Sequence, residues 1–167
     1  VATTCILVGV DFSDLTTAVL AEARRLARAF DAKLYLVHVD VAVSAPDFIG
    51  YDVGPAFMRT EIAQQIRDEH RDIQTLERQL QAEGLDATAL LVAGDPAEKL
   101  ADQAARLQPL FIVLGSHAHG QLYRLLAGSV RDGVLKHVHC PVVIVPNPAA
   151  ASAETASDPT SELDAAS

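Results

Sequence analysis

The stretch Leu110-Phe-Ile-Val-Leu114-Gly115-Ser-His-Ala118, followed after nine residues by Gly128-Ser129-Val130, decides how this chain folds. Its first five residues are apolar without a break, which is the pattern of a parallel strand buried on both faces. A glycine-bearing turn comes directly after it. Val130-Arg-Asp-Gly-Val-Leu-Lys-His137 then reads as a helix, and Pro141-Val-Val-Ile-Val145 as a further buried strand that starts on a residue with no amide hydrogen to donate. Strand, turn, helix and strand in that order form the unit of a parallel α/β sheet. Backbone amides in such turns, with the free amides of a helix N-terminus, form a ready anion site.

The same alternation runs back to the start of the chain. Cys5-Ile-Leu-Val-Gly-Val10 predicts a first strand, with Ser13 or Asp14 placed to cap a helix whose buried stripe is Val19, Ala23, Leu26 and Phe30. Leu34-Tyr-Leu-Val-His-Val39 predicts a second strand, and residues 41–56, with Pro46, Gly50, Gly54 and Pro55, a long irregular connection. A helix from Phe57 to Glu83 follows, with Ile62, Ile66, Ile73, Leu76 and Leu80 along one side and Gly84 placed to end it. Ala87-Thr-Ala-Leu-Leu-Val92 is a third strand. Asp95, Pro96 and Glu98 then make a capped helix start, with Leu100, Ala104 and Leu107 as its apolar stripe. Five strands with four helices between them predict one doubly wound α/β domain over residues 1–146. The segment 147–167, made of Ala, Ser, Thr, Pro and acidic residues, has too little to bury and is expected to be disordered.

Composition restricts the function. Half of the 167 residues are apolar, enough for a substantial core. No apolar run approaches the roughly 20 residues of a membrane span, and the N-terminus carries no signal-peptide pattern, so the expectation is a soluble cytoplasmic protein. The net charge is −9, and Glu154, Asp158, Glu162 and Asp164 in the tail leave −5 for residues 1–146. Such a balance argues against nucleic-acid binding, which needs a basic face. Cys5 and Cys140 are too few for a disulfide framework and read as buried thiols.

The segment from Phe111 to Pro146, with its Gly115…Gly128-Ser129 spacing and the ending His139-Cys-Pro-Val-Val-Ile-Val-Pro146, resembles the universal stress protein family. Nucleotide-binding members of that family carry Gly-x-x-Gly, nine residues, then Gly-Ser or Gly-Thr. Ala118 stands here in place of the second glycine. Ile6-Leu-Val-Gly-Val-Asp11-Phe-Ser13 and Leu36-Val-His-Val39 are similar to the family's first strand with its turn and to its second strand. The resemblance implies a Rossmann-like sheet of order 3-2-1-4-5. It further implies ATP or a related adenine nucleotide, with or without Mg, at the carboxyl ends of strands 1 and 4, where the chain direction reverses. In that crevice Val10 and Asp11 lie near the adenosine, and Val39 meets adenine through its backbone. Leu114 and Gly115 lie at the ribose and first phosphate, and Ala118, Gly128, Ser129 and Val130 at the phosphates. It also implies a homodimer through the fifth strand, Val142, Val143, Ile144 and Val145, and a regulatory role read out by an unidentified protein partner.

The residues leave local alternatives open. Asp11 either braces its turn or meets the ligand. A positive φ at Gly115 would suit either reading, and Ser129 either caps the last helix or meets phosphate. A fold without nucleotide binding, acting by protein contacts, is the first alternative function; a weak ATPase or a cyclic-nucleotide-responsive variant is the second. No P-loop, dinucleotide fingerprint, nucleophile elbow around Ser116 or carboxylate pair is present. His117, His119, His137, His139 and Cys140 lack the spacing of a zinc site. His38, within a strand, reads as a satisfied buried histidine.

Overall fold

The structure, a computed structural model, describes residues 4–40, 55–116 and 138–147. Within them lie β1 (Cys5–Gly9), α1 (Thr16–Phe30), β2 (Lys33–Asp40), α2 (Pro55–Ala82), β3 (Ala87–Ala93), α3 (Pro96–Leu107), β4 (Phe111–Gly115) and β5 (Val142–Val145). All strand pairs are parallel and the order is β3-β2-β1-β4-β5, as expected. The expected helix at Val130–His137 and nearly all of the 147–167 tail fall outside the described residues.

Side-chain alternation on the strands divides the core into two layers. Ile6, Val8, Leu34, Leu36 and Val113 face α1 and α2, meeting Val19, Leu20, Ala23 and Ala27 of the first helix and Ile73 and Leu80 of the second. Leu7, Val37, Ile112 and Leu114 face the other way, onto Ala97, Leu100 and Ala104 of α3. This division follows from handedness. The chain steps from β1 through β2 to β3 in one direction and then crosses back to β4, so right-handed crossovers put α1 and α2 on one face and α3 on the other. β1, inside both layers, is buried along its whole length.

Helix ends follow their sequence signals in two cases and depart from them in one. Asp95 caps α3, its side chain accepting from Glu98 N–H at 3.0 Å with Pro96 behind it. Gly84, at φ +82°, closes α2: its N–H donates to Gln81 O at 2.9 Å and Leu85 N–H to Leu80 O at 3.1 Å, the paired bonds of a left-handed helix stop. At α1 the expected cap is not used. Leu15 occupies the N-cap position with no side-chain cap bond, because Ser13 turns its hydroxyl back to Asp11. The apolar stripe of α1 also differs, since Phe30 is exposed at 47% and rests its ring against Phe111 while Ala27 takes the buried position.

Candidate functional site

The C-terminal ends of β1, β2 and β4 form one edge, and the sheet order fixes what meets there. β1 pairs Val8 with Val113 of β4 and Gly9 with Val37 of β2. Continuing those registers sets Val10 level with Gly115 and Asp11 level with Val39. Five expected site residues therefore come together: Val10, Asp11, Val39, Leu114 and Gly115. Ala118, Gly128, Ser129 and Val130 lie outside the described residues. The side chains of Val10 and Leu114 are buried in opposite core layers, so both residues present only backbone to the edge.

Asp11 braces its turn with one oxygen. Oδ1 accepts from Ser13 N–H at 3.1 Å, Ser13 Oγ–H at 2.7 Å and, at 3.5 Å, Thr16 Oγ1–H. No described donor reaches Oδ2, so the carboxylate is held in place with half of its acceptor capacity unused. The next residue, Phe12, has φ 55°, a left-handed conformation that costs a non-glycine residue about 1–2 kcal/mol. Asp31 and Gln108 also have positive φ, but each ends a helix and donates its N–H to a helix carbonyl. Phe12 has no such excuse of position; its ring lies 4.5 Å from that of His38 on β2.

Gly115 does not adopt the positive φ considered for it in sequence. The positive-φ glycines among the described residues are Gly84 and Gly94, and Gly115 is not one of them. It is needed for close packing instead. A Cβ there would stand 2.8 Å from Leu15 Cδ2 and 3.2 Å from Val19 Cγ2, both on buried side chains at the start of α1. Its neighbour Ser116, set aside in sequence as a nucleophile, fastens the exit of β5: Ser116 N–H donates to Val145 O at 2.8 Å, and Oγ accepts from Asn147 N–H at 2.9 Å.

Backbone direction along β2 gives the site its open polar pair. Consecutive residues of a parallel strand aim their backbone groups at opposite neighbours. Leu34 N–H bonds to Asp86 O and Asp40 O accepts from Gly94 N–H, so the even-numbered residues face β3. Lys33 N–H bonds to Thr4 O and Val37 O accepts from Val10 N–H, so the odd-numbered residues face β1. Val39 thus directs N–H and C=O to the β1 side just where β1 turns away. The next rung would take Val39 N–H to Val10 O; that rung is not formed, and the carbonyl accepts instead from His38 Nδ1 at 2.7 Å. No described group bonds either backbone atom of Val39. Sequence reading noticed His38 only as a core residue, and no local signal distinguishes the two roles.

The thiols lie elsewhere. Cys5 Sγ–H donates to Leu107 O at 3.4 Å under α3, and Cys140 is half-buried. Burial pushes both thiols up from their ordinary range, which keeps them protonated and poorly nucleophilic at neutral pH. Among the described residues no group of three or more His, Cys, Asp or Glu is placed to hold a metal, and no helix is long and apolar enough to cross a membrane.

The model of the universal stress protein family matches residues 4–146. The chain belongs to the universal stress protein family. A Bacillus subtilis universal stress protein, YxiE, is 30% identical over 142 residues, covering 83% of this chain and 96% of its own. Among solved structures, the universal stress protein from Archaeoglobus fulgidus in complex with dAMP superposes with a TM-score of 0.60 at 21% identity, over 87% of this chain and 99% of that one. A universal stress protein family protein from Arabidopsis thaliana with AMP bound gives a TM-score of 0.59 at 22% identity, over 95% and 99% of the two chains. At such identities the likeness establishes that this universal stress protein domain shares their fold.

Proposed function

We propose that this chain binds an adenine nucleotide, AMP or ATP with or without Mg, in the crevice between the C-terminal ends of β1 and β4, as a regulatory ligand in a stress response. The observation that carries this reading is the open N–H and C=O of Val39. The Watson–Crick edge of adenine sets an acceptor, N1, beside an amino donor, N6, and one residue's backbone pair complements both. Asp11 Oδ2 then accepts from a ribose hydroxyl. Gly115, at the end of β4, presents its backbone where the sugar passes toward the phosphates. The phosphates fall to Ala118, Gly128, Ser129 and Val130, the positions that match the family's motif. The dAMP and AMP complexes of the two structural relatives support an adenine ligand at the level of the family.

One residue favours a second reading. Ala118 stands where the family's motif has glycine, and a fold that has lost phosphate contact would act through protein contacts alone. One experiment separates the two: the purified protein, incubated with AMP and ATP, desalted and denatured, is assayed for released nucleotide by mass spectrometry. Adenine nucleotide near one equivalent supports the proposal. None after either incubation supports the contact-only protein.

A further inference from the structure

His38 has a position that the binding reading does not by itself explain. Its Nδ1 lies 2.7 Å from Val10 O, and since a carbonyl only accepts, Nδ1 carries the proton. Its Nε2 faces Glu69 of α2, whose Oε2 is buried, makes no hydrogen bond and lies 3.5 Å away. The carboxylate is itself steadied by Gln65, whose Nε2–H donates to Glu69 Oε1 at 2.9 Å. Phe12 covers the ring at 4.5 Å. Two contacts therefore fix the imidazole, the Val10 carbonyl on Nδ1 and the Phe12 ring against its face, and Glu69 of α2 lies beside Nε2.

The consequence lies one residue along β2. Val10 O is the acceptor that the next rung of the β1–β2 ladder would use, and Val39 N–H is its donor. His38 bonds that carbonyl where the rung would form, the last bond of the ladder is Val10 N–H to Val37 O, and Val39 N–H has no partner among the described residues. Were the rung formed, the donor that reads N1 of the base would be consumed by the sheet. We propose that His38 is the positioning residue of the adenine pocket, ending the β1–β2 ladder one rung early so that Val39 keeps its N–H for the base. The inference rests on the adenine reading above and adds to it the residue that makes the pocket.

Two amide substitutions separate this role from simple packing. Asn at position 38 can set its Nδ2–H where Nδ1 is now, toward Val10 O. Gln reaches farther, toward Glu69, and cannot make the Val10 bond in that pose. His38→Phe keeps a ring against Phe12 and loses the donor. AMP affinity is measured by calorimetry on the full chain, and exchange of the Val39 amide by NMR without ligand. His38→Asn is expected to bind AMP within about two-fold of the wild type, and His38→Gln and His38→Phe about ten-fold more weakly. The Val39 amide is expected to exchange more slowly in the Gln and Phe variants than in wild type and His38→Asn, because the rung closes. Should His38→Phe fail to fold, the contrast between Asn and Gln carries the test. AMP binding by His38→Gln equal to wild type, or a Val39 amide that exchanges alike in all variants, overturns the role of His38 alone. A wild-type protein that binds no AMP overturns the adenine reading and this role with it.

Discussion

At the scale of single residues, two positions at the edge serve structure and proposed binding together. Asp11 anchors the turn through Oδ1, so Asp11→Ala should lower stability by about 1–2 kcal/mol, as for loss of a capping side chain, and weaken AMP binding as well. Asp11→Asn keeps the Oδ1 acceptor and should preserve the stability. Urea denaturation checks the first effect and calorimetry the second. Gly115→Ala brings a methyl group against Leu15 and Val19 and should cost about 1–3 kcal/mol in the same denaturation assay. A wild-type midpoint for Gly115→Ala would mean that α1 yields at that contact. Neither cost is visible in sequence. Gly115 meets side chains from the opposite end of the chain, and the donors around Asp11 depend on how the turn closes.

Among the elements, the strands were the most legible. Each of the five is an apolar run because a parallel sheet covered on both faces allows little polar surface, and the observed bounds differ from the expected ones by one residue or so. α3 was legible because its start signals are local: Asp95, Pro96 and Glu98 act on each other. α1 was read less well. Ser13 is a good cap by type, yet the carboxylate of Asp11 competes for its hydroxyl, and Phe30 stays exposed with its ring against Phe111. The candidate site divides in the same way. Asp11, Val39, Leu114 and Gly115 were assigned to this edge through the resemblance and the sheet order, whereas the hydrogen bonds of His38 and Ser116 run to partners remote in sequence. The stop of α2 offers a clean test at this scale. A Cβ at Gly84 meets nothing within 4 Å, so Gly84→Ala should carry only the left-handed backbone cost of about 1 kcal/mol, lowering the melting temperature by a few degrees. A loss several times larger would show that more than φ is at stake there.

For the whole molecule, the exposed edge of the sheet points to assembly. β5 is the last strand in the order, it carries no charge, and Ile144 is 38% exposed. An apolar, unpaired edge invites a second copy, and we propose a two-fold dimer through β5. Wild-type protein should then sediment as a dimer at tens of micromolar and Ile144→Lys as a monomer, since a charge at a sheet edge opposes pairing. A wild-type monomer would contradict the proposal. The central claim is that the molecule reads adenine through the backbone of Val39, and a comparison of AMP with GMP tests it most directly. Guanine reverses the edge, with a donor at N1 and an acceptor at O6, so it opposes both groups of Val39 while sugar and phosphate stay the same. Calorimetry should give AMP binding with GMP at least about a hundred-fold weaker, as expected when buried polar groups are left mismatched. Equal affinity for the two nucleotides, or binding of neither, would contradict the account.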